Sequence, residues 1–194
     1  MRGKDIVFKN VSVNFDEKEV LKDINLTIKQ GEVIGIMGAS GIGKTTFVKV
    51  LLGLLKPSSG NVYGLENIQF SAVFQEDRLC EGFDAITNVK MVLPSSITTE
   101  QVEKEFSKVL LTDYKGKSVS KLSGGMKRRV AIVRAVMAKS DVIILDEPLK
   151  GLDEALKEQV LFYLKESLAE RTIVLVTHDK TEIEAFHAKL LFFS

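Results

Sequence analysis

The segment Val33-Ile34-Gly35-Ile36-Met37-Gly38-Ala39-Ser40-Gly41-Ile42-Gly43-Lys44-Thr45 decides the fold. Its first five residues are a short continuous apolar run, the pattern of a strand buried on both faces of a parallel sheet. Gly38 to Thr45 then matches G-x-x-x-x-G-K-[ST], the phosphate-binding P-loop. Glycines let backbone N–H groups curl around phosphate oxygens without Cβ clashes. A helical pattern from Lys44 to Leu54 follows, and its N-terminus turns the positive end of the helix dipole towards the same anion. Lys44 is placed to reach the β- and γ-phosphates, and the Thr45 hydroxyl to ligate Mg²⁺. The plainer alternative is a glycine turn before a helix. The order of strand, loop and helix is the context the motif demands, and it favours the phosphate site.

Upstream, Ile6 and Phe8, then Val11, Val13 and Phe15, repeat at period two, as do Ile24, Leu26 and Ile28. These predict paired strands closed by a Gln30-Gly31 turn. Downstream, Pro57-Ser58-Ser59-Gly60 reads as a loop and Ile68 to Phe74 as a strand. From about Glu76 to Lys139 the chain is polar and helix-prone, with Ser123 as an N-cap. Met126, Val130, Val133 and Met137 follow it at helical spacing. Lys127, Arg128 and Arg129 are expected on a solvated helix face. Val142–Leu145 and Ile173–Val176 are buried strands, and Leu156, Val160, Leu164 and Leu168 stripe the helix between them. A short helix and Leu190-Leu191-Phe192-Phe193 close the chain. Alternating strands and helices predict an α/β fold with a mostly parallel sheet covered on both faces.

Composition excludes much else. The 194 residues are 45% hydrophobic and 27% charged, an ordinary globular balance. A net charge of +1 gives no reason to expect nucleic acid. Cys80 alone allows neither an internal disulfide nor a cysteine zinc site, and two histidines, His178 and His187, are too few for a His-rich metal centre. The greasiest stretch, Phe47 to Leu55, is far below the ~20 residues of a spanning helix. The N-terminus lacks the apolar core of a signal peptide, so a cytoplasmic location is expected.

The strand at Val142–Leu145 runs into Asp146-Glu147. Carboxylates at the C-terminal edge of a parallel strand lie where α/β sheets bind ligands. Beside a P-loop, Asp146 is expected to hold Mg²⁺ and Glu147 to act as general base on the attacking water. An ordinary acidic strand end is the alternative without the P-loop.

Over nearly its whole length the chain resembles the nucleotide-binding subunit of ABC transporters. Gln75 matches the Q-loop. Leu122-Ser123-Gly124-Gly125-Met126 matches the signature loop, with Met126 for the usual glutamine. Gly151-Leu152-Asp153 matches the D-loop, and His178 the H-loop. Phe15 sits where the family keeps an aromatic that stacks on adenine. The resemblance implies a P-loop NTPase core (about 1–76 and 140–194), with an N-terminal antiparallel β subdomain and an α-helical subdomain inserted at about 77–139. It implies ATP and Mg²⁺ as cofactors. Gly38, Ala39, Ser40, Gly41, Ile42, Gly43, Lys44, Thr45 and Thr46 would hold the nucleotide with Phe15. Ser123, Gly124, Gly125 and Asp153 would act across a head-to-tail dimer with a second copy or a related subunit. Thr45, Gln75 and Asp146 would hold the metal, and Glu147, His178, Gln75 and Lys44 would carry the catalysis.

The function so implied is an ATPase powering a membrane transporter, peripheral on the inner face of the membrane and docked on permease subunits. Val73–Leu79 is similar to bacterial importers of nitrate, sulfonates and taurine, which leans the reading to import and to an extracytoplasmic substrate-binding protein. A soluble non-transport ABC ATPase, such as an assembly factor, is the alternative. A P-loop kinase would leave the signature loop, the D-loop and His178 without a role. Lys150 stands where the family usually has a small residue, which is expected to alter the dimer contact. The chain closes soon after its last strand, so regulation through a C-terminal domain is not expected.

Overall fold

The computed structural model describes residues 5–16 and 18–192. Met1–Lys4 of the N-terminal reading and Phe193 of the closing strand therefore lie outside the described residues. β1 (Ile6–Phe15) and β2 (Lys18–Ile28) pair antiparallel, and β4 (Ser59–Tyr63) joins the free edge of β1 to give the order β2-β1-β4. The second sheet is wholly parallel. It contains β3 (Val33–Met37), β5 (Phe70–Val73), β6 (Val142–Asp146), β7 (Thr172–Val176) and β8 (Lys189–Phe192), in the order β5-β6-β7-β3-β8.

The continuous apolar runs are explained by what covers the two faces of this sheet. In β6, Ile143 and Leu145 enter one core while Val142 and Ile144 enter the other. In β7, Ile173 and Leu175 split from Val174 and Val176 in the same way. Period two is present, but both faces are dry, so both sets must be apolar. The first core lies under α2 (Ala85–Lys90), α3 (Thr99–Lys108), α4 (Gly124–Met137) and α5 (Glu154–Leu168). The second lies between the two sheets with α1 (Lys44–Leu51). There Phe8 of β1 stacks on Phe47 of α1, centroids 4.8 Å apart. The short α6 (Lys180–Ala185) leads into β8.

Two expectations need correction, on Ser59-Gly60 and on the arginines of α4, and the break in the period of β1 is explained. Ser59 and Gly60 belong to β4 rather than to a loop. Gly60, at φ +76°, packs against the Asn10 carbonyl so closely that any Cβ would collide with it. β1 keeps Phe8 and Val11 both buried, although three residues apart, because the register shifts between them at Asn10 (φ +51°). Arg128 and Arg129 do not lie on a solvated face: they are 4% and 8% exposed. α4 packs against α2, α3, α5 and β5, leaving it almost no outer face. Its arginines are tolerated there because backbone carbonyls accept their N–H groups. Arg128 Nη1 donates to Phe74 O at 2.6 Å and Nη2 to Gln75 O at 3.0 Å. Arg129 donates to the carbonyls of Gly125, Val109 and Leu110.

Candidate functional site

A cleft of about 360 Å³ opens at the C-terminal ends of β3 and β6. It is lined by Val20, Gly38, Ser40, Gly41, Gly43, Lys44, Thr45, Thr46, Gln75, Asp146, Glu147, Lys150 and His178. Residues far apart in sequence converge there because β3, β6 and β7 are parallel neighbours, so their following loops share one edge.

The Gly38–Thr45 loop has the backbone features of an anion site. Gly43 is the N-cap of α1 at φ +110° and has no side-chain cap, so the first N–H groups of the helix point to the cleft unclaimed by a capping side chain. A Cβ at Gly43 would sit 2.7 Å from the Val20 carbonyl, so the position requires glycine. Lys44 Nζ donates to Gly38 O at 2.7 Å and Ala39 O at 2.8 Å, folding the loop around its own lysine.

Opposite the loop lie the carboxylates. Asp146 ends β6 and is buried. Burial, and then the charge of Glu147, hold its carboxyl above the ordinary aspartate value. Glu147 sits in the left-handed region at φ +51°, an uncommon place for a side-chain-bearing residue. Its N–H donates to Val176 O at 2.8 Å, tying this turn to the end of β7. His178 Nδ1 lies 2.9 Å from Glu147 Oε1. The hydrogen bond to Glu147, then its charge, raises the His178 pKa. The carboxylate is 14% exposed and the imidazole 73%, so this pair stands at the mouth of the cleft.

Mg²⁺ suits the donors present. Thr45, Gln75 and Asp146 offer a hydroxyl, an amide oxygen and one carboxylate, all hard oxygen ligands. Among the described residues no cluster of three His, Cys, Asp or Glu forms a metal cage. Mg²⁺ takes one or two carboxylates and completes its shell with phosphate and water, so a single protein carboxylate suits it.

Not every expected residue lines the cleft. Ala39 and Ile42 belong to the loop but not to its lining. Phe15 is 48% exposed at the end of β1 and does not line it. Ser123, Gly124 and Gly125 are also outside. Ser123 caps α4, its Oγ accepting from Met126 N at 3.3 Å. Asp153 has a local task, capping α5 by accepting from Leu156 N at 3.0 Å. The signature and D-loops are adjacent: a Cβ on Gly125 would lie 3.4 Å from Leu152.

Sequence reasoning missed Val20, whose carbonyl walls Gly43, and Arg128, whose contacts with the Phe74 and Gln75 carbonyls fasten the Q-loop to α4. It also missed Glu182 of α6, buried beside Thr177 with one carboxyl oxygen unpartnered among the described residues. Burial pushes its pKa up to about 7. No motif marks these residues. An arginine directly after Lys127 in a helix otherwise full of apolar residues was the available hint for Arg128.

Comparisons with known proteins bear on the family and the fold. The sequence profile of the ABC transporter family matches residues 21–150. The spermidine/putrescine import ATP-binding protein PotA of Fusobacterium nucleatum is 38% identical, over 94% of this chain and 53% of that protein. PotA of Mesoplasma florum is 34% identical, over 94% of this chain and 57% of that protein. The chain thus spans about half the length of the curated relatives it matches. Among solved structures, a bacterial ABC transporter cassette determined as a dimer superposes with TM-score 0.85 at 27% identity, over 97% of this chain and 94% of that one. The same cassette in a post-hydrolysis state with ADP and Pi gives 0.84 with the same coverage. The parallel sheet, the antiparallel sheet and the P-loop together are the ABC cassette fold. Among the described residues no helix is long and apolar enough to cross a membrane.

Proposed function

The chain belongs to the ABC transporter family, and from that premise we propose that it binds and hydrolyses ATP to power a membrane importer. The carrying observation is the Glu147–His178 pair standing in one cleft with Lys44, Thr45, Gln75 and Asp146.

In this reading the N–H groups of the P-loop and of the first turn of α1 bind the phosphate chain. Lys44 exchanges the Gly38 and Ala39 carbonyls for β- and γ-phosphate oxygens. Thr45, Gln75 and Asp146 would hold Mg²⁺, which when bound neutralises charge on the phosphates. Asp146 is protonated more readily than an ordinary aspartate, so a cation there favours its ionised form. Glu147, fixed by its N–H bond to Val176, takes the proton of the attacking water. His178 holds that carboxylate in place and presents its other ring nitrogen to the terminal phosphate. Phe15 stacks on the base from the rim.

Ser123, Gly124 and Gly125 lie outside the cleft of their own chain. That favours a head-to-tail dimer, in which they close on the nucleotide of a second copy or a related subunit. Asp153 then meets the partner with its backbone and neighbours, since its carboxylate already caps α5. Residues of about 77–139 form the subdomain that transmits closure to permease subunits, with the chain peripheral on the inner face of the membrane. An extracytoplasmic substrate-binding protein completes an importer.

The relatives named above are called ATP-binding proteins of spermidine/putrescine import, which supports import. Of solutes, spermidine and putrescine rest on those names, and nitrate, sulfonates or taurine on Val73–Leu79 alone; the names outweigh the short segment. A soluble non-transport ATPase has no specific observation in its favour.

The test has two arms. Glu147→Gln should bind ATP, lose most hydrolysis and accumulate an ATP-bound dimer; full turnover would refute the general-base role. Purification of the tagged chain from native membranes in mild detergent should bring a polytopic partner. A chain found free in the cytosol would refute the transporter role while leaving the ATPase standing.

A further inference from the structure

Lys150 is the cation of the cleft that the mechanism above leaves unused. It lies in the turn between Glu147 and α5, its N–H donating to Glu147 O at 3.2 Å, and it lines the cleft alongside Gln75, Glu147 and His178. The neighbouring cations are engaged. Lys44 is held by the Gly38 and Ala39 carbonyls, Arg128 by those of Phe74 and Gln75, and Arg78 lies over the Phe74 ring at 4.0 Å. The Lys150 side chain is exposed, and among the described residues it makes neither an ion pair nor a side-chain hydrogen bond.

We propose that Lys150 is a second cation for the terminal phosphate, making the site discriminate nucleoside triphosphate from diphosphate. The proposal rests on the ATPase reading of the same cleft. Its position points to the terminal phosphate: it lies three residues after Glu147, the proposed base, and lines the cleft with Gln75, Glu147 and His178, whereas Phe15 does not line it. Its chemistry fits as well. A triphosphate carries more negative charge than one lysine and one divalent cation neutralise, and Asp146 and Glu147 add to that excess. A flexible ammonium at the cleft wall offsets the remainder without prior rearrangement. Because Lys150 enters beside the proposed base and not from the P-loop that holds the inner phosphates, its contact is with the γ-phosphate. Diphosphate therefore gains little from it.

The test is equilibrium binding of ATP and of ADP to the full chain and to Lys150→Gln and Lys150→Arg, without turnover at low temperature. Lys150→Gln should weaken ATP by about tenfold, the scale of one charge-assisted hydrogen bond, and change ADP by less than about twofold. Lys150→Arg should keep the ATP-to-ADP ratio. Equal loss for both nucleotides, or an unchanged ratio in Lys150→Gln, overturns the proposal while ATP binding by the unmodified chain stands. Absence of ATP binding by the unmodified chain would instead bring down the ATPase reading.

Discussion

Replacing Arg128 with Met tests whether the Q-loop is held from α4. Arg128 is 4% exposed, and its guanidinium caps the Phe74 and Gln75 carbonyls at 2.6 and 3.0 Å. Nη1 also lies 3.1 Å from Asp77 Oδ1. That contact is an ion pair without hydrogen-bond geometry, since the same oxygen has no hydrogen-bond partner among the described residues. Burial already raises the Asp77 pKa, with Arg128 the leading influence that lowers it. In the Met variant Asp77 loses that cation, and the two carbonyls lose their donors. Breaking a buried pair costs about 3–5 kcal/mol, and each orphaned acceptor about 1–3 kcal/mol. These overlap, so roughly 4 kcal/mol is expected. For a chain of this size that lowers Tm by roughly 10 °C. Urea denaturation with the slope m held fixed gives the number, and ATPase rate at a temperature where the variant stays folded gives the functional loss. Adding Asp77→Asn should recover about 1 kcal/mol by removing the stranded carboxylate. A solvated helix face predicts a change within about 0.5 kcal/mol for Arg128→Met. That result would refute the buried clamp.

Other perturbations separate the remaining assignments. Ser123→Arg should leave ATP binding by the single chain intact and abolish the ATP-bound dimer, while loss of the α4 cap costs about 1 kcal/mol; lost monomer binding would contradict its place outside the cleft. Gly43→Ala forces a Cβ into the Val20 carbonyl at φ +110° and should cost at least about 2 kcal/mol together with nucleotide affinity; wild-type affinity by titration would show that the loop tolerates it. Glu182 has a folded pKa raised to about 7 from an unfolded value of 4.5. The folded state therefore holds more protons between those values, and stability falls as pH rises through that window by roughly 3 kcal/mol. Glu182→Gln should flatten the curve and be the more stable protein at pH 8; parallel curves for the two proteins would show that Glu182 does not titrate as described.

Much of the site was legible because its chemistry is local. The P-loop needs glycines and a lysine at fixed spacing, and Asp146-Glu147 needs a buried strand before it. Arg128 and Glu182 were not legible, because burial of a charged side chain depends on what packs against it from elsewhere in the chain. β4 was hidden for a related reason: Ser59 and Gly60 have turn-like composition, and only the free edge of β1 makes them a strand.

The sequence by itself determined the glycine-rich loop with its lysine, the acidic strand end and the alternation of strands and helices. Each of these depends on neighbours within a few residues, where backbone geometry and dipoles act. Tertiary structure decided which residues share the cleft, that Glu147 bonds His178 and that α4 is buried on nearly every side. The first two follow from the strand order β5-β6-β7-β3-β8, which places distant loops on one edge, and the third from the packing of α4 against α2, α3, α5 and β5. They depend on contacts between segments that sequence spacing does not encode.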